Sequence, residues 1–196
     1  MTINKNHHNV YHEFLSPLEC ERLSAFVLVE EPRVMAIDNP FQHADSPYKG
    51  LTGQHTVYNW LSHPTLQVLN IPQRLFDLPD FENTSHIAIQ CWMNVLRQTE
   101  KIPTHSHGEN QSAFYAINIF LSGNPTTGTY YEGEHTINTQ GEIHICSNNI
   151  EHKVPSQLFR EPRISMAMDV FIDETSINEF KWELENSEIR LIEYYK

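Results

Sequence analysis

Pro103-Thr-His-Ser-His-Gly-Glu-Asn110 is the stretch that decides the fold, and it places His105 and His107 two positions apart. Side chains at positions i and i+2 point to the same face of a β-strand, so two imidazoles with this spacing can bind one metal ion. Pro103 and Gly108 indicate the end of a strand that opens into a loop, where binding residues are often found. The spacing therefore predicts a metal site at a strand end.

A third histidine, His152, follows in Gly141-Glu-Ile-His-Ile-Cys-Ser-Asn-Asn-Ile-Glu-His152. This segment reads as a turn, a strand and a loop before the histidine. A ligand from a distant strand would complete a facial site of three protein ligands that leaves other metal positions open. We therefore expect His152 to join the two histidines of the first segment.

Two sets of metal ligands remain open. The first is His105, His107 and His152, and in the second Glu109 replaces His105. Only two residues separate Glu109 from Ser112, which is few for leaving one strand and entering the next, so the loop length favours three histidines. The charge argument favours the second set, because an anionic ligand lowers the net charge of a site that holds a hard divalent ion. We expect the three histidines, with Glu109 as the alternative ligand.

The composition predicts one domain and restricts its partners. A chain of 196 residues with 39% hydrophobic residues can bury a single core. The net charge of −12, with only 13 basic residues, argues against a nucleic-acid partner. The polar N-terminus argues against a signal peptide, and the absence of an apolar run of about 18 residues argues against a membrane span.

The cysteines indicate a reducing compartment. Cys20, Cys91 and Cys146 are odd in number and far apart, with no spacing typical of a metal site. We expect reduced thiols in the core and a cytoplasmic protein, and a homodimer stays open.

The first part of the chain carries helix signals. Ser16 can cap a helix, and Glu19 completes a capping box with it. A second helical segment begins at Pro64, and Pro72 within it is expected to kink or split the helix. Residues 30–62 lack a clear period and are expected to form short strands and loops.

From residue 85 onward the hydrophobic period changes to two, which predicts β-strands. Further strands are expected at 112–121, 129–131, 134–138, 141–146 and 163–172, with a last strand near 189–195. Helices followed by many short strands predict a mainly β fold with flanking α-helices. We expect a helical or mixed part at 1–84, a β-core at 85–173 and a tail at 174–196.

Arg163 and Ser165 share one face of the predicted strand at 163–172. A guanidinium that points into the core is costly without an anionic partner. A small dicarboxylate bound in the core would satisfy it, because arginine binds carboxylates with two parallel hydrogen bonds. The alternative is a surface arginine that pairs with Glu161 or Asp173.

The region from about residue 92 to residue 169 resembles the Fe(II)- and 2-oxoglutarate-dependent oxygenases. The resemblance rests on an ordered series of motifs: Trp92-Met-Asn94, His105-Ser-His107, Ser112-Ala-Phe-Tyr115, the segment from Gly141 to Pro155, and Arg163-Ile-Ser165. It implies a double-stranded β-helix core of the jelly-roll or cupin-like type, in one oxygenase-like domain.

The resemblance also implies a set of ligands and a reaction. Fe(II) would be held by the histidines named above, and 2-oxoglutarate would chelate it. The far carboxylate of 2-oxoglutarate would lie on Arg163 and Ser165, with Asn94 close by. Dioxygen would take the remaining metal position, and the enzyme would hydroxylate a small molecule, an amino acid or a peptide, releasing succinate and CO2.

Two departures from the usual pattern are visible. His107 stands where most of these oxygenases carry a carboxylate, and Cys146-Ser147 stands where similar ones carry an aromatic residue and a proline. A cupin-type metal enzyme is the alternative on the same kind of barrel, although the usual glutamate is replaced by Gln111 or Ser112. A barrel that binds a small ligand without 2-oxoglutarate is the third hypothesis.

Overall fold

The larger of two antiparallel β-sheets forms the centre of the fold. The computed structural model describes residues 7–40, 46–107, 114–183 and 191–196. The strands are β1 His8–Tyr11, β2 His86–Leu96, β3 Ile102–His105, β4 Phe114–Ser122, β5 Thr129–Tyr131, β6 Glu134–Thr136, β7 Ile143–Ser147, β8 His152–Val154, β9 Arg163–Phe171 and β10 Ile192–Tyr195. The larger sheet has the order β1-β7-β4-β9-β2-β10, and the smaller has the order β3-β8-β5-β6.

The helices precede most of the strands, as the sequence predicts. They are α1 Pro17–Met35, α2 Gly50–Gly53, α3 Pro64–Gln67, α4 Ile71–Phe76 and α5 Glu174–Glu183, with 3-10 turns at Gln54–Thr56, Trp60–Ser62, Pro79–Phe81 and Pro125–Thr127. Within the described segments, none of the helices is both long and apolar enough to cross a bilayer.

The capping box at the start of α1 is confirmed. The Ser16 hydroxyl accepts a hydrogen bond from the Glu19 amide, and the Glu19 carboxylate accepts one from the Ser16 amide at 2.8 Å. Arg74 in α4 also contacts the Glu19 carboxylate and donates to the Phe14 carbonyl at 2.8 Å. The cap thus joins the two helical segments of the first part of the chain.

The interruption of the second helical segment is also confirmed. Asn70 adopts a left-handed conformation with φ of 51°, and Pro72 lies at the start of the helix that follows. The prediction of short strands within residues 30–62 is wrong where the structure describes them, whereas loops are present. The helix α1 continues through Pro32 to Met35, and only short helical pieces follow. Burial of Val34 and an ion pair between Arg33 and Glu30 stabilise the turn around Pro32.

The strand β2 has two faces with different roles. Its apolar side chains Ile87, Ile89, Cys91, Met93 and Val95 belong to the main hydrophobic core, which also contains Leu23 and Val27 of α1. The opposite face carries Trp92 and Asn94, which line a cavity. Alternation along one strand therefore separates the packed side of the larger sheet from the side that lines the cavity.

Both ends of the chain contribute edge strands to the larger sheet. The strand β1 pairs with β7, and β10 pairs with β2. The sheet therefore includes strands from outside the segment 85–173 that the sequence assigns to the β-core. Both edge pairings are consistent with the single domain that we propose.

Candidate metal centre and ligand cavity

Three histidines meet between the two sheets. The strands β3 and β8 pair so that His105 lies opposite His152. His107 lies two residues beyond the end of β3, where its amide donates to the Asn148 carbonyl at 2.8 Å. One nitrogen from each imidazole lies within 4.8 Å of the other two. The predicted strand does not extend to His107, but the structure still brings the three side chains together.

The outer nitrogen of each imidazole has a hydrogen-bond acceptor. His105 Nδ1 lies 2.9 Å from the Pro103 carbonyl oxygen, and His152 Nδ1 lies 3.0 Å from the Ile150 carbonyl oxygen. His107 Nδ1 lies 2.5 Å from a carboxylate oxygen of Asp169. Each Nδ1 must therefore carry the proton, which leaves the Nε2 lone pairs available.

The distances suit a metal ion. His107 Nε2 and His152 Nε2 are 3.2 Å apart, so the two imidazoles direct these atoms toward the same place. Two nitrogen ligands at about 2.1 Å from one ion, in adjacent octahedral positions, would be about 3 Å apart. The observed separation is close to this value, so the donor set fits a divalent transition metal.

Burial and the neighbouring histidines keep this cluster largely neutral. Burial lowers the pKa of His152 to about 3, with further contributions from His107 and His105. Burial also lowers the pKa of His105. Histidine binds metal ions through the neutral imidazole, so both side chains are in the form that a metal requires.

Asp169 changes the electrostatics at His107. Burial disfavours the charged imidazole, but the adjacent carboxylate outweighs that effect, and the pKa of His107 is raised. Asp169 is not among the site residues predicted from the sequence, although the alternation of side chains on β9 indicates its position. The alternation that places Arg163 and Ser165 on the inner face of β9 places Asp169 on the same face.

The alternative ligand Glu109 lies outside the described residues, as does Ser112 of the Ser-x-x-Tyr motif. Within the described residues, only the geometry of the histidines bears on the choice between His105 and Glu109. His105 has the nitrogen position and the Nδ1 hydrogen bond that the other two histidines have.

Arg163 is buried, with 1% of its surface exposed, so the alternative of a surface arginine is wrong. Its guanidinium donates to the hydroxyls of Ser165 and Thr129, each at 3.1 Å, and Nε has no partner within the described residues. Burial lowers the pKa of Arg163 to about 10. A desolvated cation with neutral hydroxyl partners has the surroundings of an anion-binding residue.

The backbone at Gly123 passes close to the backbone of Arg163. Gly123, which follows β4, has φ of +114°, and a Cβ at this position would lie 2.8 Å from the Arg163 Cα. Glycine is required here because no side chain fits and the backbone conformation is left-handed. The turn fixes the backbone from which the guanidinium extends.

A cavity of about 410 Å³ is lined by the three histidines. Its wall includes Thr129 and Asn94, which are hydrogen-bonded to Arg163 and Ser165 respectively. Asn118 and Tyr131 also line the cavity, and the Asn118 amide nitrogen and the Tyr131 hydroxyl are buried without partners among the described residues. Unpaired buried polar atoms are costly, so this arrangement fits a polar ligand that pairs with them.

The structure thus joins Asn94, predicted from the Trp-x-Asn motif, to Ser165, which also accepts a hydrogen bond from Arg163. Thr129, Asn118 and Tyr131 were not identified from the sequence as site residues. Thr129 and Tyr131 lie on the three-residue strand β5 and Asn118 lies on β4, and the inner face of each strand is decided by pairing with strands distant in sequence. Strand alternation alone does not show which face of a short strand points inward.

Comparisons with known proteins identify the fold. No protein-family model matches the sequence, and no similar sequence is found among curated proteins. Among solved structures, HygX from Streptomyces hygroscopicus, with nickel and 2-oxoglutarate bound, is similar with a TM-score of 0.61 and 11% identity, covering 87% of this chain and 84% of that one. The chain has the fold of the 2-oxoglutarate-dependent oxygenases. The predicted double-stranded β-helix core is confirmed.

Two further structures with this oxygenase fold support the assignment. EctD from S. alaskensis, with 2-oxoglutarate and 5-hydroxyectoine, has a TM-score of 0.60 and 13% identity, covering 85% of this chain and 72% of that one. A prolyl-4-hydroxylase from Pseudomonas putida has a TM-score of 0.57 and 11% identity, with coverage of 86% and 89%. At these identities the similarity establishes the oxygenase fold, and the function must be argued from the residues of this chain.

Proposed function

We propose that this protein is a non-heme Fe(II)- and 2-oxoglutarate-dependent dioxygenase that hydroxylates a small molecule, an amino acid or a peptide. One observation carries the proposal: a cluster of three histidine nitrogens shares a cavity wall with Thr129, which is bound to a buried arginine that has no carboxylate partner among the described residues. The histidines provide donors for a metal, and the arginine provides a counter-charge for a dicarboxylate.

His105, His107 and His152 would hold the iron. When bound, iron with 2-oxoglutarate supplies the oxidation of the substrate by dioxygen, with succinate and CO2 as the other products. The hydrogen bonds from each Nδ1 fix the tautomer and the orientation of the ring, so that all three Nε2 atoms point to one position.

Arg163, Ser165 and Thr129 would hold the far carboxylate of 2-oxoglutarate. The free Nε of Arg163 and the two hydroxyls offer donors, and the arginine is buried, so its attraction to a carboxylate is weakly screened. Asn94, whose side chain is fixed by the Thr52 hydroxyl at 2.8 Å, would lie beside the cosubstrate. The unpaired groups of Asn118 and Tyr131 would bind its remaining polar atoms.

Asp169 would supply the negative charge that is missing from a site of three histidines. Its carboxylate binds His107 at 2.5 Å and so makes that imidazole a stronger donor. The carboxylate contacts a proposed metal ligand, His107, whereas in most related sites a carboxylate is itself a ligand. This arrangement reconciles the three-histidine set with the preference of Fe(II) for an anionic environment.

The role of Asp169 is testable with the isosteric variant Asp169→Asn. We expect the affinity for Fe(II) or Co(II) to fall by about 10- to 100-fold, because outer hydrogen-bond partners of metal ligands have effects of this size. A competition titration against a chelator measures the change. Asp77→Asn, at an exposed position, is the matched control. Unchanged metal affinity in Asp169→Asn would show that the carboxylate does not act through His107.

The proposed function is tested without knowledge of the substrate. Under anaerobic conditions, Fe(II) plus 2-oxoglutarate should give a visible charge-transfer band that neither component gives alone. Succinate release can then be measured with a panel of amino acids and metabolites. Folded protein that binds Fe(II) but gives no band with 2-oxoglutarate would contradict the proposal.

A cupin-type enzyme is the alternative on a similar barrel, and it would use the same histidines. It gives no role to the buried group of Arg163 and Ser165, which reaches the cavity wall through Thr129. A ligand-binding barrel without 2-oxoglutarate would likewise leave the arginine without an anion. The same anaerobic titration separates both alternatives from the oxygenase.

The proposal includes a cytoplasmic enzyme with a small substrate and no nucleic-acid partner. Cys20, Cys91 and Cys146 are free and buried thiols, as expected for a reducing compartment. The cavity volume of about 410 Å³ suits a small molecule or a single side chain.

A further inference from the structure

The cavity has room for a small substrate beside the cosubstrate. Its volume of about 410 Å³ is near the lower end of the roughly 300–1,000 Å³ typical of ligand sites. If 2-oxoglutarate occupies the part near Thr129 and Asn94, the substrate must enter from the part lined by Tyr48, His55 and Trp92. The inference drawn from this second part rests on the proposed function.

His55 is held in one orientation by two contacts with its surroundings. Its Nδ1 lies 2.8 Å from the Thr52 carbonyl oxygen, and its own carbonyl accepts a hydrogen bond from Gln90 of β2 at 2.8 Å. The Nδ1 atom must therefore carry the proton. The other ring nitrogen, Nε2, is an acceptor with no partner within the described residues.

The rings around His55 connect it to the metal centre. Trp92 lies 5.8 Å from His55 between ring centroids, and the same Trp92 stacks on His107 at 5.8 Å with an interplanar angle of 28°. Tyr48 lies 6.4 Å from His55 and 5.6 Å from His105. Nε2 of His55 thus lies among aromatic rings, and Trp92 is next to both His55 and the proposed ligand His107.

The charges near this part of the cavity are few. Of the described residues that line it, Asp169 is the one with a formal charge, and His107 binds that carboxylate. Lys49, Glu100 and Lys101 line a separate cavity of about 180 Å³ that borders the first at Tyr48 and Thr52. A charged group of a substrate would lose its hydration in the larger cavity without gaining a free counter-ion.

We propose that His55 orients the substrate, by accepting a hydrogen bond at Nε2 from a hydroxyl or N–H group of a flat or apolar molecule. The part of the substrate that reaches the metal is uncharged and packs on Trp92. Burial lowers the pKa of His55, which supports the acceptor form. The histidine touches the substrate and not the iron.

The test uses indole and 1-methylindole, which differ in one N–H donor. The protein is loaded with Zn(II) and 2-oxoglutarate, and the affinity for each probe is measured by ligand-observed NMR. We expect the wild-type protein to bind indole about fivefold more tightly than 1-methylindole, the effect of one net hydrogen bond. His55→Phe should bind both probes equally, whereas His55→Gln, which keeps an acceptor, should retain part of the preference.

Two outcomes would overturn the inference. One is a preference for indole that persists in His55→Phe, and the other is tighter binding of indole-3-carboxylate or tryptamine than of indole by the wild-type protein. The NMR titration needs neither iron nor turnover. The Fe(II)–2-oxoglutarate band, recorded on the same variants, therefore shows separately whether the proposed function holds.

Discussion

His152→Ala should lose metal binding almost completely. His152 contributes one of three converging nitrogens, and it is the proposed ligand that pairs across the smaller sheet with His105 and lies 3.2 Å from His107. Loss of an outer partner of a metal ligand costs about 10- to 100-fold in affinity, so loss of the ligand itself should cost at least about 100-fold. Chelator competition with Fe(II) or Co(II) measures the effect.

The matched control for this prediction is His135→Ala. His135 is an exposed histidine on β6 in the same sheet, and it is not part of the metal cluster. Glu109→Gln, compared with His105→Ala, tests which ligand set is used. A His152→Ala protein that is folded and binds metal as tightly as the wild type would exclude the three-histidine site.

Arg163→Met should weaken the binding of 2-oxoglutarate and should increase the stability of the ligand-free protein. Removing the guanidinium should weaken 2-oxoglutarate by at least about 30-fold, since truncating one partner of a buried charge pair costs about 2–5 kcal/mol. The ligand-free protein should become more stable by about 1 kcal/mol or more, because a buried cation without an anionic partner is replaced by an apolar chain. Anaerobic titration of the visible band and denaturant unfolding measure the two effects.

Arg163→Lys is the control that keeps the charge and loses the fork of donors. It should bind 2-oxoglutarate better than Arg163→Met but worse than the wild type. If Arg163→Met binds 2-oxoglutarate as well as the wild type does, the far carboxylate lies elsewhere. A large loss of stability in the ligand-free variant would show that Arg163 is a structural residue.

The sequence predicts the local features of this fold well. The capping box of Ser16 and Glu19, the split before Pro72 and the strand β2 depend on residues close together in the chain. The period of two also places Arg163 and Ser165 inside the barrel, because alternation on one strand requires no knowledge of its neighbours. The ordered motifs then indicate the fold class.

The sequence predicts contacts between distant strands poorly. The bond from Asp169 to His107 joins residues 62 positions apart, and the positions of Thr129 and Tyr131 depend on the register of three short strands. A change of one residue in register would turn these side chains to the other face. His55 lies in a 3-10 turn, where no period indicates a direction. The extension of α1 past Pro32 depends on tertiary contacts that outweigh the local preference of proline.

Cys146, which replaces the aromatic residue of similar oxygenases, lies on the wall of the cavity. Its thiol donates to the Ala116 carbonyl at 3.3 Å, and burial raises its pKa to about 12, with a further contribution from Asp169. Because the thiolate is both the metal ligand and the nucleophile, a thiol that stays protonated competes poorly with histidine for iron. It also resists conversion to sulfenic acid. In the proposed oxygenase, a sulfur atom could therefore line the cavity without inactivating the enzyme by binding the iron or by being oxidised.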